Sequence, residues 1–138
     1  MKPVMVDASP RERERPLSPH LQVWRWHITL AASITTRFTG IALYAGWLIF
    51  AAFALALASG PAAWAAFASV ARSIPGMIVL FGVTLSLCYH LAAGIRHLFF
   101  DFGLGFLPRR AELTAWVSYI LAVVGAVAIW AVMLAGGR

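Results

Sequence analysis

The stretch that decides the fold is Tyr89-His-Leu-Ala-Ala-Gly-Ile-Arg-His-Leu-Phe-Phe-Asp-Phe-Gly103, a largely apolar helical segment that carries two histidines. At 100° per residue, His90 and His97 differ by about 20° around a helix, and Gly94 and Asp101 share their face. Ionisable side chains at membrane depth are costly, so each suggests a function with a partner. The stripe is typical of two structures: the wall of a haem pocket, or a tight helix–helix contact with hydrogen-bonded histidines.

The whole chain is too apolar for a water-soluble domain. Of its 138 residues, 62% are hydrophobic and 12% are charged, and the mean hydropathy is +0.82. So few polar residues could not cover the surface of a soluble domain. Three apolar runs instead reach the ~20 residues that a bilayer-spanning helix needs. We predict an all-α integral membrane protein with a polar tail and interfacial segment at 1–27 and a three-helix transmembrane domain at 28–138, its spans near 28–58, 75–100 and 113–134.

The basic residues indicate how the helices are oriented. The formal net charge is +6, and most basic side chains precede the first span or lie between the second and third: Lys2, Arg11, Arg13, Arg15, Arg25, Arg109 and Arg110. Positive charge in alternate loops is the orientation signal of a membrane protein. It predicts a cytoplasmic N-terminus and argues against nucleic-acid binding. No Arg/Ser-rich, acidic-poor presequence is obvious, which favours a bacterial inner membrane over a mitochondrial inner membrane.

Polar residues of the first span share one face, at Thr29, Ser33, Arg37, Gly40 and Tyr44. Arg37 lies about 14 Å along the helix from its start, where it must snorkel, pair with an anion or face a polar cavity. His90 lies at comparable depth, about 16 Å from the cytoplasmic end of its helix. An imidazole and a guanidinium at one level suggest a cofactor that is both coordinated and anionic. Haem b fits, because its iron binds imidazole and its propionates need cations.

The chain offers only one histidine at that depth. His97 lies about 10 Å farther along the same helix, so it cannot bind the opposite face of one porphyrin. His20 and His27 fall at or outside the interface. If two histidines bind the iron, the second must come from another polypeptide, in a hetero-oligomer or a homodimer. The simpler alternatives are a His90 that only hydrogen-bonds a neighbouring helix and an Arg37 that only snorkels.

Two motifs resemble the cytochrome b subunit of succinate dehydrogenase, the larger of the two small membrane anchors in complex II. The first is Arg15-Pro-Leu-Ser-Pro-His-Leu-Gln22 followed by Ser33-Ile-Thr-Thr-Arg-Phe-Thr-Gly40, similar to the family's entry segment and its Ser-x-x-x-Arg-x-x-Gly run. The second is His90-x-x-x-Gly-Ile-Arg-His97 with Asp101 and Gly103, similar to the family's haem-ligand helix. The likeness extends over nearly the whole chain.

The resemblance implies a role for individual residues. His90 is expected to be one axial ligand of the haem iron, with the sister membrane subunit supplying the other ligand. Ser33 and Arg37 are expected to belong to the ubiquinone site. Arg37, His97 and Arg96 are possible contacts of the haem propionates.

The resemblance also implies partners. A second small membrane anchor, an iron–sulfur subunit, a flavoprotein subunit and membrane lipid are expected, with succinate oxidised on the soluble subunits and not in this chain. The sequence departs from the family at Thr36, where many members have histidine, so propionate binding there would pass to Arg37 or the sister subunit. The alternatives are another quinone-linked cytochrome b subunit, for instance of a quinol:fumarate reductase, and a non-catalytic membrane assembly protein.

Overall fold

A computed structural model describes residues 23–136, which form four α-helices. They are α1 (Ile28–Ala58), α2 (Pro61–Ala71), α3 (Ile74–Asp101) and α4 (Pro108–Gly136). α1, α3 and α4 contain 31, 28 and 29 residues and are long and apolar enough to cross a membrane. The predicted all-α membrane fold with three spanning helices is confirmed for this part of the chain. Orientation and packing with a second membrane subunit remain predictions, and most of the predicted tail, including His20, lies outside the described residues.

The third spanning helix starts earlier than the hydropathy of the sequence suggests. α4 begins at Pro108, and the backbone N–H groups of Arg110 and Ala111 both donate to the carbonyl of Leu107 at 2.9 Å. Residues 108–112, expected between the spans, thus form its first turns. Proline suits a first helical position, and arginine and glutamate are good helix formers. Hydropathy marks only the part of a helix that lies in lipid, so it misses such a polar start.

α2 is a short apolar helix that connects α1 to α3. Gly60 takes a φ of +103° between α1 and α2, a conformation that favours glycine. Ser73 caps α3, its side chain accepting from the N–H of Gly76 at 3.2 Å. A Cβ atom on Gly76 would clash with the carbonyl oxygen of Val70, so only glycine lets α3 start this close to the end of α2.

Small residues pack the three long helices together. α3 contacts α4 most extensively and α1 next. Apart from Tyr89, the buried side chains are small: Ala32, Thr39, Ala56, Ala93, Ala115, Ser118, Ala122 and Ala126. Such residues let helix backbones approach closely, which drives association inside a membrane. Large apolar side chains are exposed on the outside of the bundle instead.

Candidate functional site

The His90 ring is held against α1. Its Nδ1 atom lies 3.1 Å from the hydroxyl of Thr39, and a Cβ atom on Gly40 would lie 3.5 Å from its Cε1. His90 itself is only half-buried. The simpler alternative for His90 is thus partly right, since the residue does bond a neighbouring helix. It does so through one ring nitrogen, so Nε2 is the atom that could bind iron.

The rest of the histidine stripe faces away from the other described helices. No atom lies within 4 Å of a Cβ atom placed on Gly94, and His97 and Asp101 are exposed. The His97 ring packs edge-on against Phe100 of its own helix, with the ring centroids 6.0 Å apart. Below His90, the stripe is therefore not a contact between helices of the described chain. It presents Gly94, His97 and Asp101 to whatever lies outside this three-helix bundle.

Ser33 and Arg37 lie on α1 beside the His90 contact. Helix geometry places Ser33, Arg37 and Gly40 within about 60° of one another around α1. Ser33 is half-buried and Arg37 is exposed. Thr39 touches His90 and is two residues from Arg37 along α1. Arg37 and His90 therefore lie at the same level to within about one helical turn. The depth relation expected from the sequence is present in the fold.

Arg96 lies on another side of α3 and binds α4. Its Nε donates to the Thr114 hydroxyl at 3.0 Å, and its Nη2 donates to the Ala111 carbonyl at 3.2 Å. Its guanidinium carbon is also 4.5 Å from the centre of the Phe100 ring. This role was not predicted from the sequence, because Arg96 and Thr114 lie on different helices and no short-range pattern indicates that they meet.

A hydrogen-bonded cluster between the helices was also missed. The hydroxyls of Thr35 and Tyr119 are 2.8 Å apart, and the Tyr89 hydroxyl donates to the Ala32 carbonyl at 3.0 Å. The two tyrosine rings pack with centroids 4.9 Å apart. This cluster joins α1, α3 and α4 next to His90. The signal available in the sequence was the i, i+4 spacing of Thr35 and Thr39, which puts two hydroxyls on one face of α1.

Among residues 23–136, the side chains fit one side of a haem site and do not form a complete metal site. Within residues 23–136, no three His, Cys, Asp or Glu side chains lie together as they would around a metal ion. His90 supplies one imidazole with a hydrogen-bonded Nδ1, the usual arrangement of a metal-binding histidine. Arg37 supplies an exposed cation on α1, about 60° around the helix from Gly40.

Comparison with known proteins identifies the family. The model of the succinate dehydrogenase/fumarate reductase transmembrane subunits matches residues 11–132. The chain belongs to this family. A succinate dehydrogenase cytochrome b556 subunit from Paracoccus denitrificans is 43% identical over 113 residues, which cover 79% of this chain and 87% of that protein.

Less similar relatives are also named as cytochrome b subunits of succinate dehydrogenase. A mitochondrial succinate dehydrogenase cytochrome b560 subunit from Sus scrofa is 38% identical over 120 residues, covering 83% of this chain and 69% of that protein. A cytochrome b556 subunit from Rickettsia typhi is 32% identical over 123 residues, covering 85% of this chain and 91% of that protein. Together with the three spanning helices, these matches confirm a multi-pass inner-membrane cytochrome b subunit of succinate dehydrogenase.

Proposed function

We propose that this subunit binds one haem b jointly with a second membrane anchor and forms part of the site at which succinate dehydrogenase reduces ubiquinone. The proposal rests on how the His90 ring is held and on what surrounds it. Nδ1 of the ring is hydrogen-bonded to Thr39 of α1, and Gly94, the next residue on the same face of α3, has no other helix beside it. The family description includes fumarate reductases, but the relatives above are all named for succinate dehydrogenase, which favours succinate oxidation.

The haem would be held by residues from α1 and α3. His90 would bind the iron, and Arg37 would pair with a propionate, since it is an exposed cation near the same level. His97 and Arg96 are further candidates for the propionates. The Nη1 atom of Arg96 would serve, because its Nε and Nη2 already donate to α4. A bound haem would supply one-electron transfer.

The second axial ligand would come from the partner anchor. The other described histidines are His27 and His97. His27 is exposed at the start of α1, with its Nδ1 3.0 Å from the Arg25 carbonyl, and is about 18 Å along the helix from Thr39. His97 is about 10 Å from His90 along α3. Neither can reach across a porphyrin bound at His90.

Ser33 and Arg37 would form this chain's part of the quinone site. The serine hydroxyl would donate a hydrogen bond to a quinone carbonyl oxygen. The guanidinium would stabilise the negative charge that develops on that oxygen during reduction, which is the main way in which fixed donors accelerate such steps. The iron–sulfur subunit would dock near this end of the helices and deliver electrons, while the flavoprotein oxidises succinate.

Optical spectra of the purified complex test the haem proposal. We expect a b-type band in the reduced-minus-oxidised spectrum, and its loss in His90→Ala while the chain still inserts in the membrane. His27→Ala is the matched control, because it removes an exposed histidine far from the site, and it should keep the band. An intact complex without a b-type band, or a His90→Ala complex with full haem content, contradicts the proposal.

A further inference from the structure

The contact between Thr39 and His90 determines more than the position of the ring. We propose that the Thr39 hydroxyl accepts a hydrogen bond from Nδ1–H of His90 and so holds the imidazole in the tautomer whose Nε2 can bind iron. Thr39 is then a positioning residue for the haem ligand. This inference rests on the proposed haem function, and the experiment below separates the two.

The number of available hydrogens limits the possible directions of this bond. The Thr39 oxygen lies 2.9 Å from the Thr35 carbonyl, 3.0 Å from the Thr36 carbonyl and 3.1 Å from Nδ1 of His90. A threonine hydroxyl has one hydrogen, and a carbonyl oxygen can only accept. When that hydrogen points to either carbonyl, Oγ1 must accept from the ring. The neutral imidazole then carries its proton on Nδ1 and a lone pair on Nε2.

The opposite arrangement conflicts with iron binding. If Thr39 donated to a bare Nδ1, the neutral ring would carry its proton on Nε2, and no nitrogen would be left for the metal. The hydroxyl would also give up its hydrogen bond to the α1 backbone. The observed geometry therefore favours the iron-binding tautomer before any haem is present.

Burial makes the contact difficult to replace. Thr39 is 9% exposed, so water has little access to compete for the hydroxyl. Its neighbour Gly40 lies against the ring at Cε1, where a Cβ atom would come within 3.5 Å. Rotation of the imidazole would break the bond to Thr39 with no other described partner for Nδ1. In this low-dielectric setting an unmade hydrogen bond is expensive.

Loss of the bond should change both haem affinity and haem potential. A hydrogen bond to the second nitrogen of a ligating histidine fixes its orientation and raises its basicity, and removing such a partner typically weakens metal binding by about 10–100-fold. A less basic ligand disfavours ferric iron more than ferrous iron. If the affinity for ferric haem falls tenfold more than the affinity for ferrous haem, the midpoint potential rises by about 59 mV.

The test compares threonine variants in the intact, purified complex. Thr39→Val keeps the shape of the side chain and removes the hydroxyl, and Thr39→Ser restores it. We expect weaker haem retention, a more positive midpoint potential and altered electron paramagnetic resonance g-values of the ferric haem in Thr39→Val, with Thr39→Ser close to wild type. Thr35→Val is the matched control, because its hydroxyl lies one turn away on α1 and bonds Tyr119 instead of His90.

The outcomes distinguish the two proposals. A wild-type potential and wild-type g-values in Thr39→Val overturn the role of Thr39, as do equal changes in Thr35→Val and Thr39→Val. Thr39→Ala removes the same hydroxyl with less bulk and decides the matter where the valine variant does not assemble. Absence of haem from the wild-type complex instead overturns the proposed haem function itself. Full haem content in the His90→Ala complex overturns the assignment of His90 as the iron ligand.

Discussion

Arg96 and Thr114 are hydrogen-bonded across the loop between α3 and α4, with Nε of the arginine 3.0 Å from the threonine hydroxyl. The same guanidinium donates to the Ala111 carbonyl and lies over the Phe100 ring. A cation next to the histidine stripe thus has a structural role within the chain. It hydrogen-bonds the end of α3, the helix that carries His90, to the first turns of α4.

Removing these hydrogen bonds should lower the thermal stability of the complex and leave its haem content nearly unchanged. Arg96→Ala loses two charge-assisted hydrogen bonds and should destabilise the complex by about 3 kcal/mol. Thr114→Val loses one of them together with the threonine's own hydrogen bond to the Ala111 carbonyl, and should destabilise it by about 2 kcal/mol. Thermal inactivation of the purified complex in detergent measures both. Lower haem content in Arg96→Ala, with thermal stability unchanged in both variants, would show that Arg96 acts at a propionate instead.

His97 should not be an iron ligand. It is exposed and about 10 Å along α3 from His90, so His97→Ala should keep the b-type band and the g-values of a bis-histidine haem. A propionate contact would appear only as a modest shift of the midpoint potential. Redox titration alongside His90→Ala makes the comparison, and loss of the band in His97→Ala would reverse the two assignments.

The quinone site should respond to Ser33 and Arg37. Arg37→Ala should lower quinone reduction by about 100-fold, since it removes a charge that stabilises the developing anion. Ser33→Ala should lower it by about tenfold through the loss of one hydrogen bond. Succinate oxidation with an artificial acceptor should be kept in both, because that chemistry lies on the soluble subunits. Arg72→Ala, between α2 and α3, is a basic control that should behave as wild type; normal quinone kinetics in both site variants would place the site elsewhere.

Gly46 should be required for the contact between α1 and α3. A Cβ atom there would lie 2.8 Å from Cγ1 of Val83, closer than real contacts allow, so Gly46→Ala should destabilise the complex by about 1–3 kcal/mol. Adding Val83→Ala should restore most of the loss. Gly82→Ala is the control, since a Cβ atom at Gly82 meets nothing within 4 Å. Thermal inactivation of the complex is measured for the wild type, for each single variant and for the double variant. If the losses caused by Gly46→Ala and by Val83→Ala simply add in the double variant, the two residues do not touch.

The spanning helices and the main site candidates could be predicted because they depend on local properties of the chain. The length of an apolar run determines whether it can cross a bilayer, and a fixed rise and turn per residue place His90, Gly94 and Asp101 on one face. The same arithmetic placed Arg37 near the level of His90. The polar start of α4 was not predicted, because its residues form helix outside the hydropathy signal.

The partner of each side chain was decided only by the tertiary structure. Thr39 and His90 are 51 residues apart, and Arg96 and Thr114 are 18 residues apart. The rotation of each helix about its axis and its position along that axis determine which faces of two helices meet. Here these follow from close contacts of small residues, such as Gly46 with Val83 and Gly125 with Cys88. The sequence by itself determined three spans and one deep histidine; the packing of the helices decided that its Nδ1 meets a threonine hydroxyl and that the stripe below it faces outward.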